Sequence, residues 1–206
     1  MKETIILATN NKGKIKEMKQ ILKDKNILSL EEANINIEVK EDKDTFEENS
    51  IKKAYEIWKL TKKACIADDS GLCIEILDGF PGVQTARFLG KNATQTERNE
   101  YILEKLLGIE KEKRKAKAIT SIAIINSEGK YKVFTGVLEG YISKERRGNN
   151  GFGFDEIFEL ENGKTLAELS EDEKNIISSR KKALEMLNEE LQKNKSEKRY
   201  NLFTWK

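Results

Sequence analysis

Short apolar runs alternate with helical repeats in the first half of the chain. Residues 5–8 are apolar and rich in β-branched side chains, which predicts a buried strand. After a polar turn, four apolar residues recur at helical spacing: Ile15, Met18, Ile21 and Leu22. A second helix is predicted after Thr45, and residues 64–67 form another strand-like run. Strands and helices therefore alternate in this half of the sequence.

The second half contains most of the predicted strands. A third helix is predicted from about residue 96 to 107, where Gly108 supplies a typical C-terminal glycine. Residues 119–125, 131–142 and 155–160 have strand patterns, and a helical pattern closes this half from about residue 171 to 192. Together the elements predict a mixed α/β fold with a long bent central sheet flanked by helices.

The amino-acid composition excludes several kinds of functional site. The 206 residues include 38 Lys and Arg and 36 Asp and Glu, so the net charge is +2 and no global attraction to nucleic acid is expected. The chain contains no His, which excludes imidazole zinc sites and Ser-His catalytic pairs. Cys65 and Cys73 fall in strand-like stretches and are interpreted as small buried residues without a disulfide.

Targeting signals and linkers are not visible in the sequence. The start lacks the pattern of a signal peptide and no apolar run approaches roughly 20 residues, so we expect a cytoplasmic protein without a membrane partner. One proline and no linker predict a single domain over residues 1–206. The tail from about residue 193 is basic and carries Tyr200, Phe203 and Trp205. A nucleotide- or RNA-binding module is therefore an alternative, although no stable nucleic-acid partner is expected.

A polar loop between the first strand and the first helix is a candidate anion site. Its six residues are Thr9, Asn10, Asn11, Lys12, Gly13 and Lys14. Free N–H groups at a helix start attract anions, Thr and Asn add donors, and Lys14 adds a positive charge. The spaced glycines of a Walker A loop are missing. By itself the pattern also fits an ordinary Asn-rich turn.

Two adjacent acids are the strongest candidates for metal chemistry. Asp68 and Asp69 are expected to end the strand at 64–67, with Ser70 following, and Mg²⁺ prefers carboxylate oxygens together with substrate phosphates. Glu48 has another explanation, because Thr45 and Glu48 match a capping box in which the carboxylate bonds the Thr45 N–H. For Glu48, the capping role is preferred to a metal role.

A glycine- and phenylalanine-rich segment is a candidate base-binding site. It consists of Gly151, Phe152, Gly153, Phe154 and Asp155. Glycines allow the backbone to approach a ligand, and phenylalanine faces can stack on a base. A glycine turn with core aromatics explains the same composition equally well.

Cationic and hydroxyl side chains in the last helical pattern are a fourth candidate. On one unbroken helix Lys174 and Arg180 would point about 120° apart. They converge only if the helix breaks between them, and Ser178 or Ser179 could cap a new helix there. An ordinary charged helix surface is the alternative.

These segments together resemble one family, the inosine triphosphate pyrophosphatases, over nearly the whole chain. The motifs that carry the resemblance are Thr9-x-Asn11-x-x-Lys14, Thr45-Phe46-x-Glu48-Asn49 with Lys53-Ala54, Asp68-Asp69-Ser70-Gly71-Leu72, Pro81-Gly82-Val83 with Ala86-Arg87, Gly151-Phe152-Gly153-Phe154-Asp155, and Ser178-x-Arg180. Each motif is weak by itself, whereas their order and spacing are specific.

The resemblance implies a function and a set of site residues. It implies a two-lobed homodimeric enzyme, with a nucleotide cleft between its lobes, that cleaves ITP, dITP and XTP to the monophosphate and pyrophosphate. Mg²⁺ would be held by Glu41 and Asp69, and Asp69 would also act on water. Substrate binding would fall to the loop 9–14, Ser70, the segment 151–155 and three further residues, namely Lys174, Ser179 and Arg180.

The sequence also departs from this family. Ser179 stands where members usually have His, Phe154 where they often have Tyr, and Glu156 where they often have Pro. The lost His affects a contact to the base and leaves the phosphate chemistry intact. A related pyrophosphatase with another base preference, such as modified pyrimidines, is therefore the alternative within the same class.

Overall fold

The computed structural model of the protein describes residues 4–90 and 92–197. Its elements in chain order are β1 (Thr4–Leu7), α1 (Lys12–Ile21), β2 (Asn26–Ser29), α2 (Phe46–Thr61), β3 (Cys65–Ile74), α3 (Gln95–Lys105), β4 (Lys115–Ile125), β5 (Tyr131–Ile142), β6 (Phe158–Glu159), α4 (Glu171–Ile177) and α5 (Ser179–Glu197). In the described ranges no helix is both long and apolar enough to cross a membrane.

The six strands form one sheet in the order β2-β1-β3-β4-β5-β6. β1 pairs in parallel with both β2 and β3, whereas β5 and β6 are antiparallel. The turn between β4 and β5 is closed by the Asn126 N–H donating to the Lys130 carbonyl at 2.9 Å. A connection this short joins antiparallel neighbours, so the sheet is mixed and the predicted α/β class is confirmed.

The chain forms two compact units, neither of which is continuous in sequence. Unit 1 contains the residues up to Asp69, Thr120–Gly136 and the residues from Arg180 onward. Unit 2 contains Ser70–Ile119 and Val137–Ser179. β3, β4 and β5 each contribute residues to both units. The single domain over 1–206 stays a prediction.

Unit 1 buries both faces of its strands, because neighbouring strand residues point to opposite sides of a sheet. In β1 and the residue that follows it, Ile5 and Leu7 enter one core cluster, and Ile6 and Ala8 enter another. The first cluster receives side chains from α1 and α5, and the second receives side chains from α2. This packing against the strands fixes the positions of the N-terminus of α1, the buried face of α2 and the start of α5.

Unit 2 has its own core, built from β3, β4, β5, β6 and α3. Its fully buried large residues include Ile74, Ile102, Leu106, Ile142 and Phe158. The aromatic rings of Phe80 and Phe88 pack edge to face, with centroids 5.1 Å apart, at the border of this core.

Several element boundaries differ from the predictions. Asp68 and Asp69 lie in the interior of β3, which continues to Ile74, and the strand predicted at 155–160 shrinks to β6. The turns at 151–157 replace its first half, because Phe154 O accepts the N–H groups of Ile157 and Phe158. β2 was not predicted.

Other predictions on the elements are confirmed. The helical pattern at the end does break, at Ser178, whose ψ of 149° separates α4 from α5. Both cysteines are free thiols, and Cys65 is buried as expected, whereas Cys73 is only partly buried. The aromatic residues of the tail, from Tyr200 onward, lie outside the described residues.

Candidate active site

The N-terminus of α1 presents the polar loop that follows β1. Asn11 caps the helix, because its Oδ1 accepts the Lys14 N–H at 3.1 Å, and its own N–H donates to Thr9 Oγ1 at 3.2 Å. Lys12 and Gly13 open the first turn, where backbone N–H groups have no partner within the helix. Asn10, Asn11 and Lys12 are exposed to solvent. This helix start therefore has the electrostatic character that suits an anion.

Asp68 is the centre of a buried ionic cluster in unit 1. Its Oδ2 lies 3.0 Å from Lys14 Nζ and 3.0 Å from Arg180 Nη2. Arg180 also donates through Nη1 to Glu17, which lies on α1. Burial alone would raise the pKa of Asp68, but the charges of Lys14, Arg180 and Lys53 outweigh it and hold that pKa well below its usual range. Asp68 is therefore an anion that orients Lys14.

Asp69 lies in a different environment, although it is the next residue. Asp68 shares the side of the strand that carries Ile66, which packs with α1 and α5, whereas Asp69 shares the side of Ala67, which packs with α2. Burial, the largest cause, raises the pKa of Asp69 to about 6, with a further upward contribution from Glu41 and a downward one from Lys53. A carboxylate whose pKa is near neutrality is suited to general-base work.

Lys53 joins the two residues that were predicted to bind metal. It projects from α2, and its Nζ contacts Glu41 Oε1 and lies 3.7 Å from Asp69 Oδ1. Both carboxylates thus converge on one cationic atom. No group of three or more potential His, Cys, Asp or Glu metal ligands occurs in the described part of the chain.

The carboxylates of Glu41 and Asp69 fit the coordination that Mg²⁺ prefers. Mg²⁺ usually takes one or two protein carboxylates and completes its shell with waters and substrate phosphates, and Glu41 and Asp69 supply two carboxylates. Asp68 Oδ1, on the other side of the strand, is buried and accepts no hydrogen bond from the described residues.

Glu48 bonds the residue that caps α2, Thr45, but through a different bond from the predicted one. Thr45 Oγ1 accepts the Glu48 N–H at 3.1 Å and donates to Glu48 Oε2 at 3.1 Å. The carboxylate therefore bonds the Thr45 hydroxyl, whereas a capping box would place it on the Thr45 N–H. The cap begins α2, which carries Lys53.

In unit 2 a second cluster forms around Asp155. Its Oδ2 accepts the Phe152 N–H at 2.7 Å and Lys174 Nζ at 2.6 Å, and Lys174 Nζ also lies 4.1 Å from the centroid of the Phe152 ring. Gly151 has a φ of +78°, and a Cβ there would lie 2.1 Å from Asp155 Oδ2. Glycine is therefore required at residue 151 for the closed turn.

The two phenylalanines of this segment have different surroundings. Phe154 packs against the core of unit 2 and stacks on Phe88, with ring centroids 6.3 Å apart. Phe152 is half-buried and faces Lys174. Asn99 donates to the Gly153 carbonyl at 3.4 Å and ties the segment to α3. Of the two rings, Phe152 is the better placed to meet a ligand.

The predicted base-reading residues divide between the units. Lys174 and Ser179 belong to unit 2, whereas Arg180 belongs to unit 1 and contacts Glu17 and Asp68. Ser179, the first residue of α5, is buried, and Ser70 is half-buried in β3. Within each unit, the structure brings together the predicted residues Lys14 and Arg180, Glu41 and Asp69, and the segment 151–155 with Lys174.

Sequence reasoning gave no role to Glu17 or Lys53. A signal for Lys53 was available, because it lies on the same helical stripe as Ser50, Ala54 and Ile57, which are buried. A lysine on a buried stripe needs an anionic partner. Glu17 lies three residues after Lys14, which puts both on one face of α1.

Comparisons with known proteins cover nearly the whole chain. A family model described as the Ham1 family matches residues 5–190. The dITP/XTP pyrophosphatase of Clostridium perfringens is 47% identical over 195 residues, which cover 90% of this chain and 96% of that protein. The dITP/XTP pyrophosphatase of Bacillus subtilis is 45% identical over 195 residues, with 93% and 98% covered.

Solved structures agree with the sequence matches. The Ham1 protein of Staphylococcus aureus aligns with a TM-score of 0.84 at 36% identity and covers 93% of this chain and 100% of its own. A HAM1 protein from Coxiella burnetii aligns with a TM-score of 0.84 at 40% identity, with 93% and 99% covered.

Proposed function

We propose, from the premise that this chain belongs to the Ham1 family, that it hydrolyses ITP, dITP and XTP to the monophosphate and pyrophosphate. The membership confirms the resemblance predicted from the motifs. Relatives that are 40–47% identical and carry the name dITP/XTP pyrophosphatase support the reaction and the choice of bases.

The contrast between Asp68 and Asp69 is the observation that carries the proposal. Successive side chains of a strand point to opposite sides of the sheet, so the two carboxylates meet different partners. Asp68 lies 3.0 Å from both Lys14 Nζ and Arg180 Nη2, whereas Asp69 Oδ1 faces Lys53, which also contacts Glu41. One carboxylate therefore organises cations for a phosphate chain, and the other is suited to accept a proton from water.

The mechanism assigns a task to each cluster of unit 1. The side chain of Lys14 and the backbone N–H groups of Lys12 and Gly13 bind the triphosphate. Glu41 and Asp69 would hold Mg²⁺, which when bound neutralises phosphate charge. Asp69 orients a water and takes its proton as the water oxygen bonds to the α-phosphorus. The bond between the α-phosphorus and the bridging oxygen breaks, and pyrophosphate leaves with the electron pair.

Base recognition is assigned to the segment 151–155 together with Lys174, Ser179 and Arg180. The Phe152 ring offers a stacking surface, and the cationic donors would pair with the 6-oxo group of hypoxanthine or xanthine. Adenine presents an amine at this position and would leave buried donors unpaired, which a hydrogen-bonding site rejects strongly. Ser179 reaches less far than the usual His, and a water can bridge the difference.

Three further features belong to the same proposal. The enzyme removes non-standard purine nucleotides from the nucleotide pool, it works as a homodimer, and it does so in the cytoplasm. The names of the relatives support the first feature. The homodimer and the cytoplasmic location are the expectations stated from the sequence, and sedimentation of the purified protein measures the homodimer. The RNA-binding alternative depends on the tail from about residue 193, and it stays a prediction that deletion of residues 193–206 followed by RNA titration can test.

The decisive experiment is a turnover panel. Purified protein is incubated with ITP, XTP, dITP, GTP, ATP and a modified pyrimidine triphosphate, in Mg²⁺ or in EDTA, and pyrophosphate is resolved from phosphate. We expect pyrophosphate release from ITP, XTP and dITP that depends on Mg²⁺. Release of phosphate in place of pyrophosphate, or faster turnover of the pyrimidine than of ITP, would refute the proposed reaction or the proposed bases respectively.

A further inference from the structure

Lys53 is a cation built into the pair of carboxylates assigned to metal. Its side chain is only 11% exposed, and its Nζ contacts Glu41 Oε1 and lies 3.7 Å from Asp69 Oδ1. α2 fixes this position, because Lys53 stands between Ser50, Ala54 and Ile57 on the stripe that faces the core. The ammonium therefore has little access to water in which to be screened.

The Lys53 ammonium and a divalent cation compete for the carboxylates of Glu41 and Asp69. One oxygen of each carboxylate, Glu41 Oε1 and Asp69 Oδ1, faces the Lys53 nitrogen, and a metal ligated by these two oxygens would meet a positive charge at close range. If the ammonium moves away when metal binds, its ion pair with the carboxylates is lost. If it stays, its positive charge repels the metal. Either way, the affinity of the carboxylate pair for a free cation is lower than it would be without Lys53.

We propose that Lys53 is an internal competitor of the metal that holds Glu41 and Asp69 together when no divalent cation is bound and weakens the binding of free metal. This inference rests on the proposed function for the assignment of the two carboxylates. Its consequence is that metal is taken up well only together with a triphosphate, whose negative charge compensates the lysine. Lys53 is then a positioning residue for the two acids.

Titration calorimetry of the nucleotide-free protein with Mg²⁺ and with Mn²⁺ tests the proposal. Lys53→Met keeps most of the length of the side chain and removes its charge, and we expect its metal affinity to rise at least tenfold over the parent. Lys52→Met is the matched control, because Lys52 joins the same helix to Asp42 by a 2.6 Å ion pair with side chains that are 25% and 39% exposed. The control should bind metal within about twofold of the parent, since exposed pairs contribute little.

Two further variants keep the proposal testable if Lys53→Met does not fold. Lys53→Gln keeps a polar end against the carboxylates and should also bind metal more tightly, whereas Lys53→Arg keeps the charge and should bind it as weakly as the parent. Melting temperatures without metal and at saturating Mg²⁺ give a second readout, and the neutral variants should gain more from Mg²⁺ than the parent. Unchanged or weaker metal binding in a folded neutral variant overturns the proposal.

The result can be separated from the proposed function. The metal titrations contain no nucleotide, and ITP turnover by the parent is measured independently. If Lys53→Met binds metal more tightly but the parent does not turn over ITP, the competitor role of Lys53 is supported and the proposed hydrolase function is refuted. If the parent turns over ITP but Lys53→Met does not bind metal more tightly, the hydrolase function is supported and the competitor role is refuted.

Discussion

At the scale of single residues, the site depends on two neighbouring acids that have opposite roles. Alternation along β3 directs Asp68 to the side of the strand packed by α1 and α5 and Asp69 to the side packed by α2. The sequence marks the pair as unusual, but only the packing shows that Lys14 and Arg180 meet the first acid and Lys53 the second.

Substitution of Asp69 tests its proposed role as a base. Asp69→Asn removes a charge without changing the volume, so we expect kcat for ITP to fall by at least about 10²-fold, the usual lower range for loss of general-base catalysis, while the fold is retained. Steady-state kinetics and circular dichroism measure the two properties. Asp42→Asn, an exposed neighbour of Glu41, is the control and should keep its turnover. A kcat of Asp69→Asn close to that of the parent would exclude the assigned role.

Substitution of Lys14 tests phosphate binding at the start of α1. Lys14→Ala should raise KM for ITP and lower kcat, because the phosphate charge it meets persists into the transition state. Lys16→Ala, on the exposed side of the same helix, should leave both constants unchanged. If Lys14→Ala and the parent have the same kinetic constants, the loop at 9–14 is an ordinary turn and does not bind phosphate.

Arg180 has two roles to separate, base recognition and the neutralisation of buried Glu17 and Asp68. Arg180→Lys keeps a positive charge near the carboxylates but loses the planar fork, so we expect the ratio of kcat/KM for ITP to that for ATP to decrease. Lys182→Ala, an exposed neighbour, should not change the ratio. If both values fall together at a constant ratio, Arg180 serves the phosphates or the fold.

At the scale of elements, caps fix where the helices that carry the site begin. Asn11 caps α1 and positions Lys14, Thr45 caps α2 and positions Lys53, and Ser170 caps α4 close to Lys174. The break at Ser178 lets α4 and α5 contribute separately to the two units. Such signals are local, and one of them, the Thr45 cap, predicted the start of α2, whereas α1 begins at Lys12, inside the predicted turn at 10–13.

Loss of the α2 cap should lower the stability of the whole protein. Thr45→Ala removes the acceptor of the Glu48 N–H and the donor to its carboxylate, so the free energy of unfolding should decrease by about 1 kcal/mol. Thr45→Ser keeps both bonds and should stay within about 0.5 kcal/mol of the parent. Urea unfolding measures both variants. A larger loss in Thr45→Ser than in Thr45→Ala would contradict the capping role.

At the scale of the whole molecule, the chain passes between its two units several times. Unit 1 needs residues 120–136 and those from Arg180 onward in addition to its first segment, and unit 2 needs Val137–Ser179. β3 has β1 on one side and β4 on the other, so the early strands depend on a strand that comes much later in the sequence.

A fragment of residues 1–119 should therefore not fold. It lacks all of β5 and the part of β4 that supplies Ile122 and Ile124 to unit 1, and it also lacks α5. We expect no cooperative thermal transition and no near-ultraviolet circular dichroism, in contrast to the full chain. Cooperative melting of the fragment would show that the early segments form a core of their own.

The sequence alone determined the local features of this protein. Apolar periodicity predicted most strands and helices, the Thr45 cap predicted the start of α2, and the ordered motifs indicated the family, because each of these signals depends on neighbours within a few residues. The tertiary structure decided the rest: the brief β2, the interior position of Asp68 and Asp69 in β3, and the partners of Glu17 and Lys53. Arg180 meets Asp68 across 112 positions of sequence. Such contacts follow from strand order and from the need to pair buried charges, and no local pattern contains either.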